Sequence, residues 1–321
     1  MLLSLAKIAA RLNIDAAANI VIEGLYSNAP AAHRRFASRF QVLAYHKVSP
    51  DPHPFFAPVH PDVFEKQIDF LSRRYRVMPL LELVERSRSG DVPARAVAIT
   101  FDDGYRDNYD YAFPILKKYR VGATIFVSTG AIDTGEPLWH DRIFDAFRFA
   151  TVEHALSLKP VLAKAKELYG EGRQRFVEKI EAALRPALEE TAKDRMLTWH
   201  QIRQMHAAGI DFGSHTVSHT ILTRIPRHEL VRELCESREQ ISGHLGGVPI
   251  SSFAYPNGHA GDYNDEVQSV LKDAGYVCAV TSEFGFNNVF SNPFELRRGQ
   301  PWHTQIELFR LAFFLQRHGV N

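Results

Sequence analysis

The sequence predicts an α/β fold with largely parallel strands. Two observations predict it. From residue 39 onward short β-like runs alternate with stretches whose apolar residues recur at three- and four-residue spacing. Glycines at 209, 246–247 and 275 follow three of the helical stretches, where C-caps are expected. The strand candidates in order are 40–46, 75–79, 97–101, 123–127, 210–213, 252–254 and 276–281. The helical stretches between them are 61–73, 108–119, 198–208, 227–245 and 265–274. Residues 138–197 break the alternation: rich in Ala, Leu, Glu, Lys and Arg, they read as helices without a strand, an insertion on the barrel rather than a second domain. No repeat, low-complexity tract or long linker interrupts the rest. The expected organisation is an N-terminal helical segment over 1–38 and one α/β domain over 39–321.

The chain has 321 residues, 38 Lys+Arg against 37 Asp+Glu, and a net charge of +1. That excludes the basic field which drives nonspecific nucleic-acid binding, so nucleic acid is not an expected partner. Cys235 and Cys278 are the only cysteines, too few for a disulfide framework or a cysteine zinc site, so any metal must use histidine and carboxylate. In the apolar N-terminal stretch, Lys7, Arg11 and Asp15 interrupt the run well short of the roughly 20 residues that span a bilayer. The same charges make it a poor secretory signal. Leu2, Leu5, Ile8, Ala9 and Leu12 share one helical face, which reads as packed on its own domain and leaves peripheral membrane contact through residues 1–22 open. A cytoplasmic or membrane-peripheral location is expected over a secreted one.

Two motifs carry chemistry. The apolar run 98–101 ends in Asp102, Asp103 and Gly104. Side chains alternate along a strand, so two adjacent carboxylates divide into a metal ligand and a proton acceptor only if the chain turns there, which Gly104 permits. Taken alone, Asp-Asp-Gly fits a plain turn equally well. Ser214-His215-Thr216-Val217-Ser218-His219 places two imidazoles at i and i+4 directly after a strand. On a helical turn that spacing puts both rings on one face, suited to chelation, and two His with one Asp form a facial triad with open positions. Both motifs sit at C-terminal strand ends, where barrel active sites lie.

These motifs resemble the NodB-type polysaccharide deacetylases, carbohydrate esterase family 4. The family's first motif is Thr-Phe-Asp-Asp-Gly, here residues 100–104, and its second is His-(Ser/Thr)-x-x-His or a close variant, here 215–219. The resemblance covers roughly residues 40–300 with the helical insertion set aside, and implies a deformed (β/α)7-type barrel. It also implies a divalent metal, most commonly Zn2+, held by Asp103, His215 and His219, with Asp102 as general base. The third motif, usually Phe-Arg-x-Pro-x-Gly, reads Phe253-Ala254-Tyr255-Pro256-Asn257-Gly258. The arginine that orients the base is replaced by Ala254, and Arg298 is the substitute candidate. The Tyr255 backbone N–H is expected in the oxyanion hole. No clear Leu-x-His follows Tyr276. Tyr45-His46-Lys47-Val48 resembles instead the poly-β-1,6-N-acetylglucosamine deacetylase branch, in which a permuted histidine on the first strand is the acid. His46 is therefore assigned that role, with His303 as competitor.

The implied activity is metal-dependent removal of N-acetyl groups from an amino-sugar glycan, whether polysaccharide, oligosaccharide or lipid-linked sugar. O-acetyl ester hydrolysis or deformylation at the same site, and a catalytically silent carbohydrate-binding domain, are the alternatives. The motifs leave the sugar, the linkage and the oligomeric state open. Trp139, Trp199, Tyr105 and Trp302 are candidate sugar-stacking residues, Trp199 being read as core. His140, His200, His206 and His259 are read as surface or core residues.

Overall fold

A computed structural model describes residues 38–148, 157–184 and 195–318, together with position 18. The N-terminal helical segment expected over 1–38, with its apolar face and the membrane contact drawn from 1–22, lies outside these residues except at positions 18 and 38. No helix among the described residues is long and apolar enough to cross a membrane.

The strands are β1 (Gln41–Tyr45), β2 (Arg76–Val77), β3 (Ala96–Phe101), β4 (Thr124–Val127), β5 (Asp211–Ser214), β6 (Ser252–Ala254), β7 (Cys278–Phe284) and β8 (Leu296–Arg298). They form one eight-stranded sheet in the order β1-β3-β4-β5-β6-β7-β8, with β2 paired to β3 off this path, and every strand pair is parallel. Beyond β8 the chain returns to β1: the Ala44 N–H donates to Gly299 O at 2.9 Å and the Gly299 N–H to Val42 O at 2.7 Å. The sheet thereby curls round on itself as a deformed (β/α)7-type barrel. Barrel membership differs from the expectation at two places. The run at 75–79 is a two-residue branch, and β8, with Arg297 and Arg298 in a three-residue strand, was too short and too charged to register as a β pattern.

Strand periodicity divides the core. Leu43, Val97, Ile99, Ile125 and Phe253 pack outward with Phe64, Ile68, Leu71, Ile202 and Leu234 of the surrounding helices. Their neighbours Val42, Ala96, Ala98, Phe126, Ala254, Cys278 and Leu296 make a second cluster in the barrel interior. The helices are amphipathic for the same reason. In α1 (Pro61–Arg74) the buried Phe64, Ile68 and Leu71 recur at helical spacing, and the His60 side chain caps the Asp62 N–H. Leu80, Leu83 and Val84 of α2 (Leu80–Ser89) join the interior cluster. The helix expected over 108–119 is a wide turn over Asn108–Ala112 followed by α3 (Phe113–Tyr119). Pro114 opens α3, and because its nitrogen has no hydrogen to donate, the preceding turn cannot carry a regular ladder through.

Among the described residues the helical insertion contains α4 (Trp139–Arg148), α5 (Leu158–Lys166) and α6 (Gly170–Leu184), around a small core of its own from Ile143, Phe147, Leu158, Ala165 and Val177. The barrel resumes with α7 (Trp199–Ala207), whose Thr198 and Gln201 form a reciprocal capping box. Then come α8 (Arg227–His244), α9 (Asp265–Asp273) and α10 (Ile306–His318). Both cysteines are free; Cys278 is buried and Cys235 half-buried.

Interior packing leaves no room for a side chain at Gly213 on β5, where an added Cβ would stand 2.5 Å from the Phe126 ring and 2.6 Å from Ser252 Oγ. Gly213→Ala is expected to cost about 1–3 kcal/mol, the usual penalty of overpacking, measured by urea unfolding.

Candidate active site

The interior parity of the strands carries Asp102, at the end of β3, and Arg298, on β8, to the same face. Arg298 is 1% exposed. Its Nη1 donates to Asp102 Oδ1 at 2.8 Å and its Nη2 to Asp102 Oδ2 at 2.7 Å, a two-pronged pair. Two further donors go to Thr281 O at 2.6 Å and Thr100 Oγ1 at 3.2 Å. Burial would raise the Asp102 pKa, but the charge and hydrogen bonds of Arg298, assisted by His215 and His46, prevail and hold it below the usual carboxylate range. The cation absent from position 254 is therefore supplied across the barrel by Arg298. His46 follows β1 with its Nε2 3.7 Å from Asp102 Oδ2 and its side chain 28% exposed, so it borders both the buried pair and solvent. His303 is exposed, and the contact of its backbone carbonyl is with Gln67 Nε2, at 3.1 Å. Among the described residues His46 is the histidine within 4 Å of Asp102.

Asp103 turns away from its neighbour because its φ is 76° and that of Gly104 is 84°. A Cβ on Gly104 would meet Val127 Cγ1 at 2.9 Å, so both sterics and backbone conformation require glycine there. Asp103 Oδ1 stands 3.5 Å from His215 Nε2 and 3.2 Å from His219 Nε2. The three side chains offer ligand atoms within 4.8 Å of one another. The segment 215–219 is not the helical turn expected. It is a loop in which Thr216 has φ 67° and His219 φ 50°, and these left-handed residues bring the two rings together, with centroids 4.8 Å apart.

The donor set fits a divalent cation. His215 Nδ1 lies 2.7 Å from Ala254 O, which accepts its hydrogen and leaves a lone pair on Nε2 facing Asp103. Asp103 Oδ1 is buried and accepts no hydrogen bond. A cation among Asp103 Oδ1 and the two Nε2 atoms would satisfy that buried oxygen. The two rings titrate differently: His219 is held neutral, whereas a cation at His215 would displace the proton that the neighbouring carboxylates draw to it. Burial pulls His215 down, yet Asp103 and Asp102 more than offset it and raise its proton affinity. Burial pushes His219 down to about 3, His140 and His215 opposing the pull of Asp103, so that ring is neutral and able to ligate at neutral pH. Asp103 is held well below the carboxylate range, the two histidines outweighing the burial that would raise it.

Sequence reasoning missed the residues supplied by the helical insertion. Trp139 Nε1 donates to His219 O at 2.9 Å. The buried His140 lies against His219 with ring centroids 4.6 Å apart, so it is part of this site and not a detached core residue. Asp141 accepts from Lys47 Nζ at 2.7 Å and from Tyr105 Oη at 2.9 Å. Lys166 donates to Asn257 Oδ1, tying α5 to the third motif. Tyr105 is buried, Trp199 is buried and stacked on His244, and Trp302 is 65% exposed. At Tyr255 the structure differs from expectation: its N–H donates to Val280 O at 3.2 Å, because the β6–β7 ladder runs one residue past Ala254. Pro256 has no N–H, and that of Asn257, at φ 63°, has no hydrogen-bond partner among the described residues.

Comparisons agree with this architecture. The family model described as Polysaccharide deacetylase matches residues 89–279, more than half of the chain. The chain is 25% identical over 191 residues to a putative polysaccharide deacetylase, YxkH, of Bacillus subtilis, covering 60% of this chain and 46% of that one. It is 40% identical over 79 residues, 24% of this chain and 27% of the other, to a poly-β-1,6-N-acetyl-D-glucosamine N-deacetylase of Staphylococcus aureus. The match thus spans less than half the length of either curated relative. Among solved structures, IcaB from Ammonifex degensii superposes with a TM-score of 0.61 at 20% identity, over 87% of this chain and 97% of that one. The deacetylase PplD of Streptococcus pyogenes, solved with acetate, gives 0.60 at 22% identity over 82% and 92%. At these identities the structural likeness speaks for the fold.

Replacing Arg298 by Gln strands a buried carboxylate, and the expected loss is about 3–5 kcal/mol at neutral pH. The Asp102 pKa is lowered in the folded state, so the stability it contributes is present above the unfolded carboxylate pKa and lost as pH falls through the folded one. The gap between wild type and Arg298→Gln should therefore narrow in acid, measured by urea unfolding across a pH series.

Proposed function

Since the chain belongs to the polysaccharide deacetylase family, of the NodB type, we propose that it removes N-acetyl groups from an amino-sugar glycan. The observation that carries this reading is the juxtaposition of the Arg298-held Asp102 with the triangle of Asp103, His215 and His219, and with His46 3.7 Å from Asp102. A divalent ion such as Zn2+ held by Asp103, His215 and His219 would supply a Lewis acid for the amide carbonyl and lower the pKa of attacking water. Asp102, kept ionised by Arg298, takes the proton of that water as it adds to the carbonyl. Four of the five Arg298 N–H groups are engaged by Asp102, Thr281 and Thr100, and with the side chain 1% exposed its role is to orient the base. His46 lies at the solvent border of the pair and hands a proton to the departing nitrogen, which is otherwise a poor leaving group. Because Tyr255 donates to Val280, the Asn257 N–H takes the place expected for Tyr255 as the backbone donor to the developing oxyanion. The products are acetate and a free amino sugar.

The near-neutral chain suits a neutral acetylated sugar better than a polyanion. The poly-β-1,6-N-acetylglucosamine relative, with the Tyr-His-x-Val segment at the end of β1, makes a β-linked N-acetylglucosamine oligomer the first substrate to test. Acetate release should appear on such oligomers, disappear with chelator and return with added zinc. No release from any N-acetylated glycan in a panel that includes O-acetylated and N-formylated sugars would overturn the reading.

Asp102→Asn should lower turnover about a hundred- to ten-thousand-fold while zinc content by elemental analysis stays unchanged. His46→Ala should slow amide cleavage far more than cleavage of an activated acetyl ester, whose leaving group needs no proton. Equal losses on both substrates would remove His46 from the acid role.

A further inference from the structure

The two imidazoles are held by different means. His215 is oriented through its ring, with Nδ1 bonded to Ala254 O at 2.7 Å. The Nδ1 of His219 is buried and has no partner, so the outer hydrogen bond that ordinarily fixes a ligating imidazole is missing. Its backbone, by contrast, is gripped from two sides. Trp139 Nε1 donates to His219 O at 2.9 Å. Arg173, on the first turn of α6, donates to Ser218 O at 2.8 Å, to Ser218 Oγ at 3.3 Å and to His219 O at 3.4 Å. Just before His219, the Glu233 carboxylate on α8 accepts the N–H groups of Val217 and Ser218, at 2.8 and 2.9 Å, and the Ser218 hydroxyl at 2.8 Å.

Arg173 is 5% exposed, and its guanidinium lies 5.0 Å over the Trp139 ring. A buried cation is ordinarily paired with a carboxylate. This one spends its hydrogen bonds on two carbonyls and a hydroxyl of a single loop, and the carboxylate that attracts it, Glu233, accepts from that same hydroxyl. That loop carries a left-handed non-glycine residue, His219 at φ 50°, a conformation that persists only where its surroundings impose it.

We propose that Arg173 and Trp139, both from the helical insertion, are positioning residues for the metal. They hold the backbone of His219 so that Nε2 faces Asp103, in place of the missing ring hydrogen bond. The insertion then completes the site: the barrel supplies the ligands, and α4 and α6 aim one of them. The inference rests on Asp103, His215 and His219 being the ligand set, and its test reads metal binding rather than deacetylation.

The full chain, stripped of metal, is titrated with Zn2+ against a chromophoric chelator, comparing Trp139→Phe, Arg173→Gln and Arg173→Lys with the parent. Trp139→Phe and Arg173→Gln should each weaken zinc binding about tenfold or more, and Arg173→Lys should recover most of the loss. Co2+-loaded Trp139→Phe should show a shifted visible ligand-field spectrum, while its metal-free unfolding midpoint stays close to the parent's. Trp139→Phe keeps an aromatic ring and decides the matter if Arg173→Gln does not fold. Unchanged zinc affinity and an unchanged cobalt spectrum in Trp139→Phe, with His215→Ala losing the metal, would overturn the positioning role alone. Zinc retained in His215→Ala would overturn the ligand set beneath it.

Discussion

The buried pair of Asp102 and Arg298 is the constraint around which the barrel is arranged. Two charges withdrawn from water are tolerable only when their hydrogen-bonding capacity is filled. Here the guanidinium meets both carboxylate oxygens, a backbone carbonyl and the Thr100 hydroxyl. Thr100 in turn donates to Leu43 O at 2.7 Å, so the network also reaches β1. Satisfying it demands that β3, β7, β8 and β1 keep their places, which couples closure of the sheet to the ionisation state of one aspartate. The same geometry explains how the small Ala254 can stand where an arginine is usual: the cation approaches the carboxylate from β8, and position 254 becomes interior packing.

Much of the fold was legible because strand parity and helix periodicity are local properties. The carboxylates at the end of β3 and the histidines after β5 were likewise visible as chemistry concentrated at strand ends. Illegible features fall into two kinds. A three-residue strand whose inward side chain is an arginine offers no hydrophobic alternation, so β8 is absent from the strand candidates and Arg298 is read from the sequence only as the substitute cation. Contacts made through backbone groups leave no side-chain signature at the partner: nothing in the residues 215–219 announces that Trp139 and Arg173 bind their carbonyls. The equal spacing of the histidines suggested a helix because four-residue spacing is shared by a helical turn and a loop that reverses through left-handed residues. Tyr255 was misjudged for a related reason, since whether an N–H is free depends on how far the neighbouring ladder extends.

Of the seven left-handed non-glycine residues described, Asp103, Thr216 and His219 lie in the candidate site and Asn257 in the third motif, while Arg95, Arg120 and Asp133 lie in connecting turns elsewhere. Each such residue costs about 1–3 kcal/mol and needs support from its surroundings. That support is visible. Ser128 Oγ holds His215 O, the Thr129 N–H holds Thr216 O, and the Gly130 N–H holds Val217 O, while Glu233 and the insertion grip the rest. Around Asn257, Asp262 accepts from its side-chain amide and Lys166 donates to it. Hydrogen bonds thus link the described part of the insertion to the second and third motifs.

The partners in the buried pair are 196 residues apart along the chain. During synthesis, a chain that has emerged only through β7 carries Asp102, Asp103, His46 and both histidines of the second motif, yet lacks the arginine that keeps Asp102 charged and the strand that meets β1. Contacts of such high sequence separation form late, because loop closure must be met before they contribute. The order of residues along the polypeptide thus acts as a timer: the carboxylate beside the ligand triangle acquires its counter-ion only when the ring is whole.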